Sequence, residues 1–140
     1  MTEESTTPDL VELTRQAVEA VNRRDMDALM SRVPPDSVDD TLPAGLMVHE
    51  GPAAIRAFLG EWWDAFEELT LAPEEVLDLG HGIVLLVVCQ DARPANSTSP
   101  VRRHEAYVLE WAGDMIRRTT VYTDIDAARA DAERLAVERA

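Results

Sequence analysis

The hydrophobic patterning predicts an α+β domain, with helices packed on one side of a strongly bent, mainly antiparallel sheet. Three observations carry this expectation. Apolar residues recur at helical spacing through the first half of the chain. A continuous apolar run, IVLLVVC at Ile83–Cys89, follows a strand-like segment at residues 69–79. Finally, Val101–Asp124 reads as a β-hairpin, rich in β-branched and aromatic residues, about the turn Gly113-Asp114.

Taken in order, residues 1–6 are polar and expected to form a disordered tail, with residues 7–140 a single domain. Thr7-Pro8-Asp9 supplies a capping hydroxyl, a first-turn proline and an acid for a helix over residues 8–23, whose apolar face is Leu10, Leu13, Ala17 and Val21. Asp25 caps a short second helix that Pro34-Pro35 ends. Val38–Leu42 and Leu46–His49 read as short strands broken by Pro43-Ala44-Gly45. Gly51-Pro52 opens a third helix whose stripe, Ile55, Phe58, Leu59, Trp62 and Phe66, has a 3.6-residue period. Pro73 places the next strand at an edge or on a bulge. Gly80-His81-Gly82 is a tight turn, Ile83–Cys89 a central strand and Asp91–Pro100 a polar loop. Thr123 is the expected cap of a last helix that docks on the sheet edge.

A two-residue turn in the hairpin sets Glu110 against Arg117, Val108 against Thr119 and Ala106 against Val121, unless a bulge intervenes. The small face, Ala106, Val108, Thr119 and Val121, is expected under the helices and any ligand. The Tyr107, Trp111 and Tyr122 face is then an uncovered apolar patch, and a homodimer through it is expected.

The formal net charge of −14 disfavours nucleic acid and anionic membrane surfaces. No basic, apolar leader and no run of ~18 apolar residues is present, so the default expectation is cytoplasmic. Cys89 is alone and reads as a buried, inert thiol. Three scattered histidines give no ligand-spaced metal cluster, and no glycine-rich loop suggests a nucleotide, so no cofactor is expected.

Several segments together resemble the SnoaL-like family of the nuclear-transport-factor-2-like superfamily. They are Asn22-Arg-Arg-Asp25 with Leu29, Pro34-Pro-Asp36, His49-Glu-Gly-Pro-Ala-Ala-Ile-Arg-Ala-Phe58, Gly113–Ile116 and Val121-Tyr-Thr-Asp124, within residues 9–130. The resemblance implies a cone-shaped fold enclosing a cavity and commonly dimeric. It spans polyketide cyclases, ketosteroid isomerases, epoxide hydrolases, dehydratases and non-catalytic binders, so the fold alone selects no function. Where cyclase- and hydrolase-like members carry an aspartate on the last strand, this chain has Val121, and Gln90 stands where hydrolases have a charge. Neither moves a proton. A base like that of the isomerases would come from Asp36, Asp39 or Asp40.

The leading expectation is therefore a small-molecule-binding protein with a mostly apolar cavity lined by Phe58, Trp62, Gln90, His104, Thr119 and Val121, with His49 at its mouth. One alternative is a metal-free acid–base enzyme using His49, His104, Glu105 or Asp39. The other is a non-catalytic dimerisation module.

Overall fold

In the computed structural model, which describes residues 8–140, Asp9 caps α1 (Leu10–Asn22), accepting from the Glu12 amide at 3.1 Å. The expected tail and the Thr7 hydroxyl lie outside the described residues. Asp25 caps α2 (Met26–Met30) as anticipated, through the Ala28 amide. Then follow β1 (Val38–Asp40), a 3₁₀ turn at Leu42–Ala44, β2 (Val48–Glu50) and α3 (Pro52–Asp64). β3 (Phe66–Gly80), β4 (Ile83–Pro94), β5 (Val101–Ala112) and β6 (Met115–Tyr122) form the meander, and α4 (Ile125–Arg139) closes the chain. Asp124, not Thr123, caps α4.

The six strands make one mixed sheet in the order β2-β1-β6-β5-β4-β3. Every neighbouring pair is antiparallel except β1 and β6, which run parallel. β3 is an edge, and its ladder slips between Pro73 and Glu75, satisfying both readings of Pro73. β4 is longer than its apolar run: Asp91–Pro94 continue the ladder, which shortens the expected loop. The edge at Leu71 is covered by α1. Asn22 donates through Nδ2 to the Leu71 carbonyl at 2.9 Å and accepts from the Leu71 amide at 2.8 Å.

The hairpin departs from its simple register. Beyond Trp111 opposite Ile116, Glu110 pairs with Arg118, Leu109 with Thr119 and Tyr107 with Val121, which leaves Arg117 as an extra residue. The bulge is held from outside the sheet: Ile116 donates to the Arg32 carbonyl at 2.7 Å and accepts from Ser37 Oγ at 2.9 Å. An extra residue exchanges the faces of everything after it. Glu105, Tyr107, Leu109, Ile116, Thr119 and Val121 therefore share the face beneath α1 and α3.

This corrects the expected faces. Thr119 and Val121 do point inward, but Ala106 and Val108 point the other way. They pack with Ile83, Leu85 and Val87 against Ala128 and Ala132 of α4, which crosses the back of the sheet instead of docking on its edge. Small residues on both sides let helix and sheet approach closely. The expected uncovered aromatic patch is absent. Trp111 is buried with Ile116 beneath Leu10 and Leu13 of α1, Tyr107 faces inward, and Tyr122 packs beside α4 and donates to Asp131.

Candidate functional site

Between the helices and the concave sheet face lies a hollow of about 470 Å³. Phe58, Leu59 and Trp62 of α3 and Ala17, Val18 and Val21 of α1 form one wall. Leu71, Leu86, Leu109, Thr119 and Val121 form the sheet wall. The α3 stripe divides by depth: Trp63 is buried in the core, whereas half-buried Trp62 faces the hollow. Ala44 of the 3₁₀ turn and Leu46 just after it also line the hollow, and Leu46 itself is largely exposed.

Two buried carboxylates interrupt this lining, and exposed Glu61 is a third. Asp39 is 8 % exposed. Burial, with the neighbouring charge of Asp40 second, pushes its carboxyl from an ordinary 3.8 up to about 6. Strand alternation separates the three acids of this segment. Asp39 turns inward, Asp40 pairs with Arg118, and exposed Asp36 pairs with Arg117. Glu105, also buried, is held differently: Arg103 Nη2 lies 3.0 Å from its Oε2, and the Tyr107 hydroxyl donates to its Oε1 at 3.1 Å. Burial raises the Tyr107 pKa well above its usual value, and the negative charges of Glu105 and then Asp39 add to this. Tyr107 is thus neutral at any ordinary pH, a hydroxyl fixed in the cavity wall.

The other sequence candidates lie outside the hollow. His49 is the cross-strand partner of Asp39, but its ring stacks on Phe58, with centroids 4.3 Å apart, so that Phe58 rather than His49 meets the cavity. Its Nε2 is buried without a partner among the described residues. Gln90 is on the inward face of β4, yet it is 2 % exposed, absent from the lining, and its Oε1 has no partner among the described residues. His104 is a correction. It lies on the back of the sheet, half-exposed, with Nε2 3.1 Å from Glu74 Oε1. It was expected inward because Ala106 and Val108 were, and all three turned together.

Arg103 and Tyr107 are the cavity residues the sequence reading missed as site candidates. Their i, i+2 spacing with Glu105 was the available signal, hidden by the exchanged face. The sheet register also brings together donors that no sequence spacing groups. Glu74, Cys89 and His104, each 15 residues from the next, bring their donor atoms within 4.8 Å of one another on the back face.

An α+β cone with an acid-bearing hollow between helices and a bent, unclosed sheet defines a class of cavity proteins. Within it the chain belongs to the SnoaL-like family, whose SnoaL-like domain profile matches residues 14–119. No curated protein matches the sequence. Among solved structures the chain is similar to TerC, co-crystallised with polyporic acid (17 % identity, 88 % of this chain and 97 % of that chain, TM-score 0.71). It is also similar to a protein of ketosteroid isomerase-like fold from Catenulispora acidiphila, in complex with trimethylamine (15 % identity, 91 % and 95 %, TM-score 0.73). A third is a nuclear-transport-factor-2-like protein of unknown function from Burkholderia pseudomallei (19 % identity, 83 % and 91 %, TM-score 0.71). These identities carry the fold alone. Among the described residues no helix is long and apolar enough to cross a membrane.

Proposed function

We propose that the hollow binds a small, mostly apolar molecule. The carrying observation is the hollow itself: about 470 Å³, walled by aromatic and aliphatic side chains with a few convergent polar groups. TerC and the Catenulispora protein, which share the fold, were each solved with a small organic compound. The test is a panel of neutral one- to three-ring aromatic compounds, followed by native mass spectrometry and tryptophan fluorescence. One equivalent is expected to bind, and Val121→Trp, which fills the hollow from the sheet side, abolishes it. No binding from the whole panel overturns the reading.

One observation favours a second reading, a proton-transferring enzyme. Asp39 faces the hollow, and among the described residues no cation or hydrogen-bond donor lowers its pKa. An ionised carboxylate with a conjugate acid near neutrality is matched to taking a proton from carbon beside a carbonyl and returning it elsewhere. The neutral Tyr107 hydroxyl, tethered by Glu105, is the nearby polar group of fixed position. Deuterium exchange into cyclic ketones in D₂O, followed by NMR, tests this. Exchange rises with pH to a plateau above about 6 and is lost in Asp39→Asn. Exchange that survives that substitution excludes Asp39 as the base.

A further inference from the structure

We propose that Glu74, Cys89 and His104 form a binding site for one zinc-class divalent cation on the back of the sheet, away from the hollow. Three adjacent strands each supply one donor, and the three donor atoms lie within 4.8 Å of one another. Cys89 and His104 are direct cross-strand partners, so their side chains leave the sheet on the same side. They stand two residues beyond the Val87–Ala106 pair that α4 covers, on the same face but past the apolar cluster beneath that helix.

Glu74 reaches them because of the bulge. Pro73 pairs with Val88 and Glu75 with Val87, so Glu74 is the unpaired extra residue, and bulges re-aim side chains in this way. Glu75 is engaged by Arg129 in a bidentate pair, whereas among the described residues Glu74 meets only the imidazole, Oε1 to Nε2 at 3.1 Å. The next cross-strand pair along, Asp91 and Arg102, is self-neutralised at 2.7 Å. Glu74 and the Cys89 thiolate are then the charges that offset the metal.

The donor set selects the metal. A thiolate, an imidazole and a carboxylate suit zinc and its borderline-soft neighbours, not magnesium or calcium, which require oxygen donors throughout. His104 Nε2 and Glu74 Oε1, 3.1 Å apart, are separated by about the edge of a tetrahedron built on such bonds, and with Glu74 and His104 half-exposed the fourth position opens to water. Binding displaces the Cys89 thiol proton to solvent. The bound cation pins the bulged edge strand β3 to β4 and β5.

Isothermal titration of the full chain with Zn²⁺ in a non-thiol reductant tests the proposal, with Co²⁺ spectra as a second measurement. One equivalent of Zn²⁺ is expected, with a thiolate-to-cobalt charge-transfer band and a thermal midpoint that rises with zinc. Cys89→Ser removes the band, and Cys89→Ser and His104→Ala each weaken zinc binding by at least ~10-fold. Glu74→Gln weakens it less, and His81→Asn leaves it unchanged. No thiolate band in the wild-type protein, or zinc binding that Cys89→Ser leaves intact, overturns the site and leaves His104–Glu74 as a surface ion pair.

Discussion

Asp39 of β1 lies level with Thr119 of β6 in the one parallel pairing of the sheet, and this sets both side chains toward the hollow. A three-residue strand thereby carries an acid into an apolar wall. The protonated form is favoured there, so the folded state holds a proton that the unfolded chain has already released.

The consequence for stability has a definite sign. The Asp39 pKa is raised on folding, from 3.8 to about 6, so its contribution is fully present below 3.8 and is lost as pH rises through 6. The loss is on the order of 3 kcal/mol. Asp39→Asn is expected to be more stable than wild type at pH 7.5 (~7.5, near-neutral buffer), with a flatter profile below that. Urea melts across the range check this, and an unchanged slope in the variant contradicts it.

Trp62 and Trp63 are neighbours with separate duties. Trp63 is 6 % exposed within the main core, while Trp62 faces the hollow. Trp63→Ala is expected to lower stability by about 3–5 kcal/mol, as large-to-small core changes do. Trp62→Ala lowers it by less and instead weakens binding of the ring compound. Denaturant melts and titrations on the pair separate the two effects.

Asn22 holds α1 to the β3 edge through both polar atoms of its amide. Asn22→Ala leaves the amide and carbonyl of Leu71 without that partner, at a cost of about 1–3 kcal/mol. Asn22→Asp keeps the acceptor but loses the donor and sets a negative charge against the carbonyl, so it too is destabilised. Hydrogen exchange at the Leu71 amide is expected to quicken in the alanine variant; unchanged exchange there excludes the edge-holding role.

Gly82 accepts from the Trp111 amide at 2.7 Å while its φ is +83°. A Cβ at this position meets the Trp111 carbonyl oxygen at 2.4 Å. Gly82→Ala therefore strains the backbone and forces β4 from β5, with an expected loss of more than ~2 kcal/mol. Gly113→Ala, where nothing stands within 4 Å, carries only the conformational penalty of a positive φ. Thermal melts of the two variants give the comparison.

The long periodic segments were legible in the sequence. α1, most of α3, the apolar centre of β4 and the Gly113-Asp114 turn lie where the pattern placed them, but α3 ends at Asp64, and Phe66, expected at the end of its stripe over residues 52–67, opens β3 instead. The hollow's aromatic wall at Phe58 and Trp62 was legible as well, because a helix stripe fixes a face without reference to anything distant. What depended on pairing was not. The Glu110–Arg117 ion pair that seemed to set the hairpin register was displaced by one residue, since Arg118 serves Glu110 as well and Arg117 reaches Asp36. Asp39, Asp40 and Asp36 are chemically alike, and only the parallel pairing with β6 decides which enters the hollow. α4 was misplaced because a thin stripe of alanines looks too weak to cover a sheet, until it meets a strand face of alanine and valine.

The supernumerary Arg117 sets the parity of β6 from that point on. Were the bulge flattened so that Arg117 entered the ladder opposite Glu110, Thr119 and Val121 would trade sides with Arg118 and Thr120, turning a second guanidinium toward the hollow beside Arg103. A slip of one residue, with no side chain substituted, would add positive charge to the wall this architecture presents to a guest.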